Sequence, residues 1–174
     1  FRYEPTDNLH DQEARAAVRE PATAEAVSWD DDALAKVAAV AGGYPYFLQL
    51  YAFEAWEAAA HAGAIQRITL ADVVAGESVA QRQIEAGIYG ARFDGATEAE
   101  RKYLFAISDL MDAEGDRVRS GDVARALSRE LSAVSPTRDA LIRKGIVHAP
   151  EHGLLAVSIP GFQQYIVRRR ADEA

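Results

Sequence analysis

The sequence predicts a mainly α chain in two units, a helical bundle followed by a three-helix unit that carries a small β-hairpin. Three observations lead there. Apolar residues recur at helical spacing through most of the 174 positions. Glycine, proline and capping residues interrupt those runs at 42–45, 87–95 and 135–136. Charge is unevenly divided: residues 1–95 hold 7 Lys+Arg against 15 Asp+Glu, a net −8, whereas residues 96–174 hold 12 against 12. With 49% hydrophobic and 26% charged residues the chain is expected to form a core.

Residues 1–8, with Pro5 and Asn8, read as an extended leading segment. A first helix is predicted over 11–20, where Glu13 can reach back to the cap at His10, and it is expected to yield at Pro21. Asp30 is the predicted cap of a second helix over 31–41, with Asp31 and Asp32 in its positive first turn and Leu34, Val37, Ala38 and Ala41 as its apolar stripe. Gly42-Gly43 should stop it and Pro45 start the next helix, about 45–61. That helix carries Tyr46, Phe47, Leu50, Tyr51, Phe53 and Trp56, apolar surface on more than one face, so it is buried on several sides or awaits a partner. Thr69 and Asp72 open a fourth helix to about Glu85. Gly87, Gly90 and Gly95 mark the predicted boundary, giving units of 1–90 and 96–174 with a linker at 91–95.

In the second unit Thr97 and Glu100 form a capping box for a helix over 98–112. A turn at Gly115-Asp116 leads to Ser120, the predicted cap of a short helix through Leu127. Ser135-Pro136 reads as the start of a helix ending at Lys144-Gly145. Ile146-Val147-His148 and Leu154 to Ile159, separated by a Pro150-Glu151-His152-Gly153 turn, form a hairpin. Pro160 opens a last helix, with Phe162, Tyr165 and Ile166 inward and Arg168-Arg169-Arg170 at its end. The order helix, helix, helix, hairpin, helix is that of a winged helix-turn-helix domain.

The chain has no cysteine, which excludes disulfides, thiol nucleophiles and thiolate metal sites. No apolar run approaches the ~20 residues of a membrane span. With Phe1 at its start and no initiator Met, the chain is expected to be a fragment or a processed piece. No G-x-x-x-x-G-K-[ST] phosphate loop occurs, nor an apolar strand ending in paired acids for magnesium. Without that platform phosphoryl transfer has no electrostatic support, so this chain alone should not hydrolyse ATP and no catalytic residue is assigned.

The stretch Ala41-Gly42-Gly43-Tyr44-Pro45-Tyr46-Phe47-Leu48-Gln49, after an Asp-rich helix start, resembles the helical lid subdomain of AAA+ and STAND-type ATPases, in particular the archaeal-type and origin-recognition ATPases. Ser135 to Gly145, followed by the hairpin, resembles the winged-helix domain that follows that lid. The resemblance implies a mainly α helical lid bundle followed by a winged helix-turn-helix domain with a β-hairpin wing. It also implies a role for Gly43, Tyr44 and Pro45 in lining a nucleotide pocket, with ATP or ADP bound only together with an upstream ATPase core and no cofactor for this piece alone. Residues 41–60 hold no Lys or Arg to sense a γ-phosphate, which favours the STAND-like form. A cytoplasmic location and no membrane partner are expected.

For the winged helix, the helix at 135–144 would enter the major groove of DNA. Ser132, Ser135, Thr137, Arg138 and Arg143 are the candidate contacts, with His152 at the wing tip. The neutral charge of this half leaves protein docking open as the alternative target, and Arg138 can instead pair with Asp139. Arg168 to Arg170 read as a solvated helix end, which favours cations in any case. His148 and His152 flank a hairpin turn, where the helical spacing of zinc ligands does not apply, and no metal is expected. The alternative for the whole chain is a stand-alone winged-helix transcription regulator with an N-terminal ligand-sensing or dimerisation unit.

Overall fold

In the computed structural model of the chain, residues 8–61, 63–114 and 116–173 are described, the side chains of 112–114 and 173 excepted. The leading segment around Pro5 and the turn at Gly115 lie outside the described residues. The chain is mainly α and divides into two compact units, Phe1–Ile84 and Glu85–Ala174.

In the first unit, α1 (Asp11–Ala24) begins where Glu13 Oε2 accepts the His10 N–H at 2.9 Å. It continues through Pro21, where the sequence predicts a stop. Pro21 lies on the exposed side, whereas Val18 and Ala22 bury one stripe across the same turn, and that burial outweighs the one backbone bond a proline removes. Two short strands, β1 (Ser28–Trp29) and β2 (Arg67–Ile68), pair in parallel. The sequence predicts neither, because two residues carry no alternation to read. α2 (Asp31–Ala41) buries Leu34, Val37, Ala38 and Ala41 as its spacing predicts. Asp30 precedes it with extended backbone but makes no side-chain cap. Its carboxylate accepts instead from Arg67 Nε at 2.5 Å, a charge-assisted bond stronger than a cap to a neutral amide.

α3 (Pro45–Ala60) starts on its proline and α4 (Leu70–Ile84) on Thr69, whose N–H and hydroxyl both donate to Asp72 Oδ2, at 2.8 and 2.7 Å. The two helices meet backbone to backbone. A Cβ at Gly76 would stand 2.6 Å from the carbonyl carbon and oxygen of Glu54. Phe47, Leu48, Leu34, Val37, Ile68 and Val73 fill the core of this unit.

A π-helical turn (Glu85–Tyr89) and α5 (Gly90–Asp94) open the second unit, so most of the stretch expected as a linker at 91–95 is helical. Tyr89 and Phe93 explain it: both are buried against Tyr165, with ring centroids at 5.4 and 6.1 Å, and they draw the glycine-rich stretch into the core. α6 (Glu98–Glu114) has the predicted box, Thr97 N–H to Glu100 Oε2 at 2.7 Å and Glu100 N–H to Thr97 Oγ1 at 3.3 Å. β3 (Val118–Arg119) leads into α7 (Ser120–Ala126). The cap position there is Arg119, and Ser120 is already helical, its hydroxyl buried without a partner among the described residues.

α8 (Leu131–Arg143) starts four residues before the predicted Ser135, and Pro136 lies inside it. Val134 and Leu141, both buried, anchor the helix on either side of the proline, and the Ser135 hydroxyl donates back to the Leu131 carbonyl at 2.8 Å. β4 (Val147–His148) and β5 (Leu154–Val157) form the hairpin, and β3 adds to it in an antiparallel sheet of order β3-β5-β4. α9 (Phe162–Glu173) buries Phe162, Tyr165 and Ile166 and runs past the three arginines expected to end it. The order helix, helix, helix, hairpin, helix is the predicted one.

Candidate functional site

Two surfaces carry the residues singled out by sequence, one in each unit. In the first, Gly42 and Gly43 take left-handed backbone angles, φ 57° and 69°, and turn the chain from α2 into α3. The Leu9 N–H donates to the Gly43 carbonyl at 2.9 Å, and Asn8 Nδ2 donates to the Gly42 carbonyl at 3.2 Å. A Cβ on Gly43 would sit 2.3 Å from the Leu9 carbonyl oxygen, so only glycine fits beneath that strand of backbone. Gly43 is therefore buried, Tyr44 is half-buried with its ring 4.7 Å from that of Phe47, and Pro45 is exposed. The turn presents Tyr44 and Pro45 outward, and Gly43 shapes it from within.

In the second unit, Ser132, Arg143 and His152 are exposed, whereas Ser135, Thr137 and Arg138 are half-buried. Arg138 Nε lies 3.2 Å from Asp139 Oδ1 and is shielded from solvent. Its charge is felt by the buried Tyr103 hydroxyl on α6, which burial pushes up to about 12 against the pull of Arg138. Arg138 thus has an ion-pair partner in Asp139, which an incoming base edge would have to displace. Ser135 spends its hydroxyl on the Leu131 carbonyl.

The arginine triplet of α9 is tied down. Arg168 pairs with Glu85 at 2.6 Å, Arg169 with Asp94 at 3.1 Å and Arg170 with Asp109. Arg169 also lies over the Phe93 ring, 4.9 Å from its centroid, and its hydrogen bond to Tyr165 raises its pKa further. The triplet is therefore a largely exposed helix end, as its position suggests, whose cations are each paired with an acid. Among the described residues, the exposed cations of this unit that form no ion pair are Arg119, Arg129 and Arg143. They sit on β3, on the turn between α7 and α8, and at the end of α8. Arg119 and Arg129 are not among the residues that the sequence singles out.

No group of three or more His, Asp or Glu among the described residues is placed to hold a metal ion. No helix among them is long and apolar enough to cross a membrane.

Residues 86–166 match a family described as a domain of unknown function, DUF8462, which covers less than half of the chain. No curated protein sequence matches it. Among solved structures it is similar to the RuvB Holliday junction branch migration motor of Thermotoga maritima, at 19% identity and a TM-score of 0.43, over 92% of this chain and 50% of that one. Two mutants of the same RuvB align equally, at 19% and 18% identity, each with a TM-score of 0.43 over 92% of this chain and 49% of theirs. The chain spans about half the length of these structures.

Proposed function

We propose that the chain is the non-catalytic C-terminal part of an ATP-binding AAA+/STAND-type protein, a lid followed by a winged helix that engages duplex DNA. The observation that supports it is the distribution of cations in the second unit. The exposed arginines left without an ion pair, Arg119, Arg129 and Arg143, fall at the start of α7, between α7 and α8 and at the end of α8, whereas those of α9 are each paired with an acid. Phosphate contacts from such residues position a protein on the duplex, and side chains of α8 would then read base edges. Ser132 and Arg143 are the exposed candidates for that helix, with His152 on the wing.

In the lid, nucleotide held by an ATPase core would meet Tyr44 and Pro45, on a turn whose course Gly43 sets. The element offers a ring and an apolar edge and no cation, which suits contact with base or ribose and not with phosphate. Nucleotide can bias the lid only through contacts that differ between its two states. The second unit would then carry that change to DNA.

The reading is tested by fluorescence anisotropy of a random-sequence duplex titrated with the chain at low and at physiological salt. Salt-sensitive binding at micromolar affinity or tighter is expected. No binding at low salt would move the target of the second unit to a protein.

A further inference from the structure

A groove of about 570 Å³ lies in the first unit between α1 and α3. Val18 and Pro21 stand on one wall, Leu48, Phe53 and Trp56 on the other, with Trp29 beside them. Its α3 wall extends from Pro45 to Glu57, about 18 Å at 1.5 Å per residue, or a little over three helical turns. Phe53, on that wall, is 57% exposed, a large ring left in water where a partner would cover it.

The groove is polarised along its length. Both helices start beside Leu9, whose N–H bonds the Gly43 carbonyl, and that end is apolar, with Leu9 and Pro45. From the far ends of α1 and α3 come Glu25 and Glu57, and neither forms an ion pair among the described residues. No Lys or Arg lines the groove, and neither helix has a basic residue in its last turn. The partial negative charge of two helix C-termini therefore adds to two carboxylates.

We propose that this groove seats the apolar face of a short amphipathic helix, about three turns long, supplied by another protein and carrying Lys or Arg at one end. The apolar residues lie against Phe53, Trp56 and Val18, and the cations meet Glu25 and Glu57. Helix-in-groove recognition of this kind needs an apolar floor of matching length and a charged rim, and both are present. The proposal is independent of whether the second unit binds DNA.

Both tryptophans of the chain, Trp29 and Trp56, line the groove, so intrinsic fluorescence reports on it directly. The full chain is titrated with a labelled Leu/Ala helix of about 12 residues bearing lysines at one end, while tryptophan emission and peptide anisotropy are followed together. A saturable blue shift at micromolar peptide, matched by anisotropy, is expected. Glu25→Gln combined with Glu57→Gln should weaken the lysine peptide about tenfold and leave a glutamine-substituted peptide unaffected. Both variants replace exposed carboxylates, and circular dichroism checks that the fold is retained. Three results overturn the proposal: no shift up to about 1 mM peptide, equal affinity for the lysine and glutamine peptides, or a blue shift that grows with protein concentration alone, which would assign the groove to a second copy of this chain.

Discussion

Where α3 crosses α4, Gly76 leaves no room for a methyl group against the Glu54 carbonyl, and where α2 turns into α3, Gly43 leaves none against Leu9. The second unit is joined by long side chains instead. Phe162 stacks on Tyr165 at 5.9 Å, Tyr89 packs against both rings and Phe93 against Tyr165, and three consecutive arginines reach acids on other elements. At these two glycines of the first unit one added carbon meets backbone, whereas at Gly161 in the second unit it meets the end of a side chain, the Tyr89 hydroxyl, at 2.5 Å. A crossing closed by backbone contact and a contact made by side-chain reach fail in different ways.

The largest expected effect is Phe162→Ala, which empties a fully buried ring site and should cost about 4 kcal/mol in urea unfolding. Gly76→Ala comes next. In an ordinary exposed helix it would stabilise by about 1 kcal/mol, but here the new Cβ meets backbone and should destabilise by about 2 kcal/mol. A stabilising result would end the contrast between the units.

Lys144→Met should cost about 1–2 kcal/mol, because Lys144 Nζ lies 2.7 Å from Glu100 Oε2 and that carboxylate is nearly buried. It also has a pH signature. Burial, the largest single influence, pushes the Glu100 carboxyl up, but bonds from Lys144 and Thr97 together hold it below its ordinary value of 4.5. A depressed carboxyl stabilises the fold above the ordinary carboxylate range and loses that contribution as pH falls through its folded value. Wild-type stability should therefore drop below about pH 4.5, and Lys144→Met should flatten that acid limb in urea midpoints taken at neutral and acid pH. The smallest effect belongs to Arg168→Ala, whose exposed pair with Glu85 should be worth under about 1 kcal/mol.

The helices of both units are legible where periodicity and caps agree, as at Thr97 with Glu100 and in the stripe from Leu34 to Ala41. Proline misleads twice in the same manner. Pro21 and Pro136 each read as a helix boundary, yet buried neighbours at Val18 and Ala22, and at Val134 and Leu141, carry the helix through. Asp30 reads as a cap because composition does not reveal a competing arginine from a distant strand. The short strands β1, β2 and β3 leave no pattern at two residues each. Of the site residues, the turn at Gly43 to Pro45 is readable from its glycines and proline. The separation of spent from free arginines is not, since it depends on acids 61 to 83 positions away in the chain.

The proposed DNA contact through the unpaired arginines is tested most directly by the salt dependence of binding. Affinity for one duplex should be measured across a salt series for wild type, for Arg129→Ala with Arg143→Ala, and for Arg168→Ala with Arg170→Ala. The first pair should weaken binding and reduce the slope of log affinity against log salt by about 2, near 0.9 for each phosphate that is no longer neutralised. The α9 pair should leave the slope unchanged. Equal slopes in all three proteins, or a weakening confined to the α9 pair, would contradict the assignment of DNA contact to the helix-turn-helix face.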